Sequence, residues 1–322
     1  MRNSKLWSGL TSVFAVILVI ALVGGNLAGT NASYINDALG VSTTRIVQTG
    51  EAAADTVYYK SQFGSFDDPA AQAKALAVAL EQNINEMREG AALLMNEKNT
   101  LPLASAKRIS VFGHAAVDPA YQASSAGTKV SNGAINSIDL KTALENVGFV
   151  VNPQLWDGLK AGKAARGTAG SSGGVSASGS AKGSEENKAF YDALKGTFAS
   201  DYKDAAIVVF AREGAEGTDL MMKDQDDEGG KSGNISSLAL HKNERDLLEM
   251  VRANFDKVVV LLNSPNQMEV HEIKQYCDAI LFIGYPGHQG FVGVAEILKG
   301  TVNPSGKLVE PTPPTPCPPR PL

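Results

Sequence analysis

Cysteine is scarce in this chain of 322 residues, with only Cys277 and Cys317. Two cysteines cannot build the disulfide framework of a small secreted scaffold. Cys277, set among apolar residues, reads as a small core side chain. Histidine is equally thin. His114, His241, His271 and His288 stand apart with no metal-ligand spacing, so neither a metal nor a cofactor is expected. Excess positive charge is lacking too: 29 Lys and Arg against 34 Asp and Glu leave a net charge of −5. No basic cluster occurs beyond the extreme N-terminus, which argues against a nucleic-acid partner. No G-x-G-x-x-G stands between a strand and a helix, so a dinucleotide site is not expected. Ser264, in "LLNSPN", lacks the G-x-S-x-G setting of a serine hydrolase.

What the chain does have is 43% hydrophobic residues, enough for one large domain or two small ones. It also has one long apolar run. No charge occurs from Leu6 to Asn36, and the apolar centre, about Leu10 to Leu27, is close to the roughly 20 residues a spanning helix needs. Arg2 and Lys5 precede it, so a single-pass anchor with the bulk of the chain outside the cytoplasm is expected. A cleaved signal, with "TNA" before Ser33, is the alternative and predicts a secreted protein. Residues 1–34 are therefore read as anchor or signal, and 35–70 as a stalk.

From Ala70 to Leu94 the pattern turns helical, with Ala73, Leu76, Leu80, Ile84 and Met87 recurring at threes and fours. "RISVF" (108–112), "AAIVVF" (205–210), "KVVVLL" (257–262) and "AILFI" (279–283) are apolar on consecutive residues, as expected of strands covered on both faces. Helical patterns lie between them. Leu240 to Phe255 puts Leu247, Leu248 and Val251 on one side and "KNER" on the other, and Phe291 to Leu298 is another such stretch. Strand and helix alternate, which predicts an α/β fold with a mostly parallel sheet covered by helices, over residues 71–309. Segment 161–186 is rich in Gly, Ser and Ala, with nothing apolar larger than Val175, and is expected to be a flexible surface insertion. Seven prolines in residues 310–322 exclude a regular helix or central strand there.

Ligands of parallel α/β sheets bind beyond the carboxyl ends of strands. Three acidic residues follow the second strand in "VVFAREGAEGTDL": Glu213, Glu216 and Asp219. A carboxylic acid there, shielded by a second domain, suits a general acid with a raised pKa. A solvated acidic loop continuing into "KDQDDEGG" is the competing reading, and no partner carboxyl is identifiable nearby. His114 and Asp118, after the first strand, could meet a ligand or could be structural. Gly284, Gly287 and Gly290 read as shaping the turn into the last helix.

Six blocks taken together resemble glycoside hydrolase family 3. They are "EGAALLMNEKNTLPL", "ISVFGHAAVD", "AREGAEGTDL", "LALHKNERDLLEMV", "VVVLLNSPNQMEV" and "DAILFIGYPGHQGFVGVAEILKGTVNPSGKL", in order over about 220 residues. The resemblance is to the family's C-terminal α/β sandwich. It implies a retaining β-glucosidase-type hydrolase whose nucleophilic aspartate sits on a separate (β/α)8 barrel. It also implies an acid/base glutamate from the sandwich. In many members the strand runs into R-x-x-G-E-G-x-D-R. Arg212, Glu216, Gly217 and Asp219 match that frame, while Ala215 and Leu220 replace a glycine and an arginine. Glu216 is thus the implied acid/base, with Asp219, Arg212, Asp118 and His114 as candidate sugar contacts.

No barrel precedes residue 70, and the chain resembles members in which the sandwich follows a membrane helix and precedes the barrel. Such relatives read roughly "NPSGKLVDTYA" where this sequence has "NPSGKLVEPTPP". The codons of the tail, shifted by one base, can spell a stretch ending Tyr-Ala-Ala-Asp-Ala-Leu. A frameshift or truncated gene is therefore expected. The expected partners are a β-glucoside or oligosaccharide, the membrane and the missing barrel. On this reading the chain alone is inactive. A membrane-tethered carbohydrate-binding module without catalysis and a nonfunctional remnant are the alternatives.

Overall fold

Runs of consecutive apolar residues have no wet face to offer, so each strand they form must be covered on both sides. The computed structural model shows how this is met. It describes residues 2–39, 61–65, 67–122, 137–165, 171–172, 175–176, 184–214, 223–226 and 234–309. The chain divides into two units, Met1–Ser61 and Gln62–Leu322.

The first unit holds α1 (Arg2–Thr30) and the short α2 (Ala32–Ala38). Stretch Ser4–Thr30 is long and apolar enough to cross a membrane, a test that an N-terminal signal sequence also passes.

In the second unit α3 (Pro69–Gly90) begins where Asp68 accepts from the Ala70 amide at 2.9 Å, ahead of a proline preset for the first turn. Then come β1 (Ala92–Asn96), β2 (Arg108–Phe112), α4 (Leu140–Asn146), β3 (Val150–Val151) and α5 (Pro153–Lys160). Two short pairs, β4 (Ser171–Ser172) with β5 (Val175–Ser176) and later β7 (Lys223–Gln225) with β8 (Asn234–Ser236), are antiparallel ribbons outside the main sheet. The remaining elements are α6 (Lys188–Phe198), β6 (Ala205–Ala211), α7 (Lys242–Asn254), β9 (Val258–Asn263), α8 (Val270–Ile273), β10 (Ala279–Phe282) and α9 (Gly290–Lys299). Asp139, Asn152 and Asn187 cap α4, α5 and α6 by accepting from backbone amides.

The main sheet has strand order β1-β10-β9-β6-β2-β3. Strands β2, β3, β6, β9 and β10 are parallel, and β1 is an antiparallel edge on β10. Pleating sorts the core. Ile207, Val209, Val259 and Leu261 face α4 and α9, while Val208, Phe210, Val258 and Val260 face α5, α6 and α7. The expected strands are all present, and Cys277 is buried as a core residue.

Three expectations need correction. The helical reading of 70–94 overran, because α3 ends at Gly90 and Ala92–Asn96 pairs with β10. Sheet pairing outweighs the local period there, with Ala91 O also accepting from Gly306 N. Along α3 the periodic apolar positions are unevenly used: Met87 is buried and Ala73 and Leu76 are exposed. The polar side of α7 is not all wet, since Glu244 of "KNER" is only 2% exposed. The ends of 161–186 are also anchored: Glu186 accepts from the Lys163 amide and, at 2.6 Å, from Ala164, while Glu185 is buried. Most of the interior of that insertion, and the tail from Glu310, lie outside the described residues.

Gly113, just past β2, has φ 91°, and a Cβ there would sit 2.3 Å from the Val209 carbonyl oxygen. No side chain fits so close to the β6 backbone, and the left-handed geometry adds strain. Gly113→Ala is expected to cost about 2–5 kcal/mol in urea unfolding, from strain and overpacking together. An unchanged midpoint would show that β2 and β6 do not approach this closely.

Candidate active site

Strand order in the sheet reverses between β2 and β6: β2 is followed outward by β3, and β6 by β9 and β10 on the other side. Such a switch point opens a crevice at the carboxyl ends of the strands, where α/β folds bind ligands. Two loops border it. One runs from Gly113 through His114 to Asp118, and the other starts with Arg212.

Arg212 is the fixed post of the second loop. Its side chain is fully buried, and all five guanidinium donors are used. Nη1 and Nη2 meet Glu244 Oε1 and Oε2 at 2.7 and 2.8 Å. Nε donates to Ser237 O, Nη1 to Ala211 O and Nη2 to Ala239 O, at 2.8, 2.9 and 2.7 Å. Glu244 also accepts from the His241 amide at 2.9 Å, which closes the first turn of α7. Burial alone would raise the Glu244 carboxyl, but the adjoining Arg212 guanidinium holds it below the usual carboxylate range. Among sequence candidates for sugar contact, Arg212 is therefore placed inside the domain, committed to Glu244 and three carbonyls.

A small pocket at the crevice floor is lined by His114, Ser184, Glu185, Glu244 and the Val209–Ala211 end of β6. Glu185 is its second carboxyl. It accepts from Tyr191 Oη at 2.6 Å, the Glu186 amide at 2.8 Å and the His114 amide at 3.0 Å. Burial nevertheless pushes its pKa up to about 8, against those bonds and with Glu244 adding negative charge. The pocket thus holds one ionised and one proton-retaining carboxyl, sorted by a single guanidinium.

His114 is buried, and its Nε2 lies 3.9 Å from Asp118 Oδ2, whose side chain is half-exposed. Glu213 is buried beside Arg212. Glu216 and Asp219 lie outside the described residues. Sequence reasoning missed Glu185, Glu244, Asn263 and Tyr285. Asn263, wholly buried at the end of β9, bonds both Ala120 N and Ala120 O, at 2.7 and 2.9 Å, and Gly284 O at 2.7 Å. It fastens the loop after β2 to that after β10. Only Glu244 carried a signal, a glutamate three residues into a helix start; the others depend on remote partners. Among the described residues, no three His, Cys, Asp or Glu side chains converge to hold a metal ion.

The fold and the strand-tip crevice define an α/β sandwich domain, a mostly parallel sheet covered by helices. Residues 91–316 match the glycosyl hydrolase family 3 C-terminal domain, and the chain belongs to that family. It is 33% identical over 111 residues to a β-glucosidase of Ruminococcus albus, covering 34% of this chain and 11% of that protein. With a β-glucosidase of Wickerhamomyces anomalus it shares 27% over 243 residues, or 72% of this chain and 25% of the other. The structure of β-glucosidase 3B from Thermotoga neapolitana, in complex with α-D-glucose, superposes with a TM-score of 0.52 at 22% identity. That match covers 73% of this chain and 30% of the other, and shows a shared fold. The chain thus spans a quarter or less of these two curated relatives' length.

Arg212→Ala would leave the Glu244 carboxylate buried without its counter-charge, and a loss of about 3–5 kcal/mol is expected in urea unfolding. A loss under 1 kcal/mol would show that water reaches Glu244. Glu185 gives a pH signature. The unfolded chain releases this proton near 4.5, whereas the folded chain keeps it to about 8. Its contribution to stability is therefore complete below 4.5 and falls as pH rises to 8. Glu185→Gln is expected to flatten that decline in denaturation midpoints measured at pH 5, 6.5 and 8; an unaltered slope would rule it out.

Proposed function

We propose that this domain supplies the acid/base carboxyl of a retaining β-glucosidase-type hydrolase, and that Glu216 is that group. The reading is carried by one juxtaposition. In a family 3 C-terminal domain, the loop bearing Glu216 leaves the switch-point edge of the sheet from an arginine locked by five bonds. Glucose in the Thermotoga neapolitana neighbour and the names of the curated β-glucosidases support a glucoside as substrate class.

In this mechanism the protonated Glu216 donates to the glycosidic oxygen as the bond to the sugar breaks. As carboxylate it then takes a proton from the water that releases the sugar. The nucleophilic carboxylate is carried by a separate (β/α)8 barrel domain and stands about 5–5.5 Å from Glu216 in a retaining site. Asp219, with Asp118 and His114 from the opposite loop, forms the sandwich's share of the sugar site. The apolar helix Ser4–Thr30 tethers the domain to the outer face of a membrane, with Arg2 and Lys5 inside.

The 322-residue chain alone is expected not to cleave an aryl β-glucoside; turnover abolished by Glu216→Gln would place both carboxyls within it. With a family 3 barrel supplied, leaving-group dependence tests the acid. Glu216→Gln is expected to lower kcat/KM about 10²–10⁴-fold for phenyl β-glucoside. It should change little for the dinitrophenyl glucoside, whose leaving group needs no proton. Equal losses on both substrates would remove Glu216 as the acid.

A further inference from the structure

Tyr285 stands beyond the end of β10, in the turn toward α9. Its phenol donates to Gly214 O at 2.7 Å and accepts from Gly214 N at 2.9 Å. One hydroxyl thus satisfies both backbone polar groups of one residue, on a different strand's loop, 71 positions away. The tyrosine is itself held, because the carbonyl of the preceding Gly284 accepts from Asn263 Nδ2 at 2.7 Å. Asn263 ends β9, and its backbone carbonyl accepts from the Arg212 amide at 3.2 Å. Gly214 is hemmed on its other side too: a Cβ there would stand 3.4 Å from Pro265 and from Asn266. The chain leaving β6 is therefore pinned at two points, Arg212 and Gly214, before it enters the loop that carries Glu216. Glu216 follows Gly214 by two residues in the sequence.

We infer that Tyr285 is a positioning residue for Glu216. Its hydroxyl clamps Gly214, sets the direction in which the loop departs, and so determines where the carboxyl reaches. It need not touch sugar. This rests on Glu216 being the acid, a reading that the leaving-group series on Glu216→Gln judges separately.

Tyr285→Phe removes the hydroxyl and keeps the ring, so it opens no cavity. The test uses the full 322-residue chain in detergent micelles with glutamate side chains labelled at the carboxyl carbon, Glu216 being assigned through Glu216→Gln. In Tyr285→Phe the Glu216 carboxyl resonance and its titration midpoint are expected to move toward those of an unstructured glutamate. The Glu244 resonance and the melting temperature should stay in place. Exchange of the Gly214 amide should quicken about tenfold, the order expected for losing one hydrogen bond. A Glu216 resonance and midpoint unchanged in the variant would overturn the inference. So would a spectrum that collapses as a whole, because Tyr285 would then hold the fold rather than the loop. On the barrel-supplied enzyme the variant should reproduce, more weakly, the leaving-group selectivity of Glu216→Gln with KM preserved. Equal losses on both glucosides would count against positioning even while Glu216→Gln upholds the acid.

Discussion

The architecture of the crevice depends on the Arg212 guanidinium. It sits where β6 gives way to its loop, out of reach of water, and a charge in that position must be neutralised by protein. Glu244 of α7 does so with two parallel bonds, and three carbonyls take the remaining donors. A buried ion pair of this kind contributes little net stability beyond an apolar replacement, because desolvating both ions offsets their attraction. What it contributes is placement. The planar fork fits one arrangement of the β6 tip, the segment before α7, and the first turn of α7. The loop that follows therefore begins from a defined point and direction.

The same charge sorts the two carboxyls at the crevice floor. Glu244, in contact with Arg212, stays ionised although burial opposes it. Glu185 meets no cation among the described residues and keeps its proton into the neutral range, even with three hydrogen-bond donors around it. One pocket thus holds two acids in opposite states, and the difference is set by which of them the guanidinium touches. Glu185 also stands at the close of the 161–186 insertion, next to Glu186, which grips the other end. The insertion is thereby tied to the loop of His114 and to α6, so its base is part of the site's wall.

Around these charges the strand-tip loops are joined by neutral side chains. Asn263 reaches the loop after β2 and the turn after β10, and Tyr285 reaches back from that turn to the loop after β6. Each uses an amide or hydroxyl to satisfy backbone groups that lie beyond the sheet's own ladder. Loops that bear catalytic groups need this kind of support, since they lack the regular bonding of the elements they connect.

Much of this protein was legible in its residues taken locally. Consecutive β-branched runs declared the buried parallel strands, and the threes and fours of α7 and α9 declared the helices. The charge-free stretch after Lys5 declared the long N-terminal helix, and ordered blocks such as "AREGAEGTDL" pointed to the family. These signals live within a few residues of one another, at the range where backbone periodicity acts. Tertiary structure decided the rest. It turned Ala92–Leu94 from helix into part of an edge strand, took Glu244 out of solvent, and committed Arg212 to the interior. It also brought Glu185, Asn263 and Tyr285 to the crevice. Each of those outcomes depends on a partner many positions away in the chain, and no local period records which distant carbonyl, amide or carboxylate a buried polar group will meet.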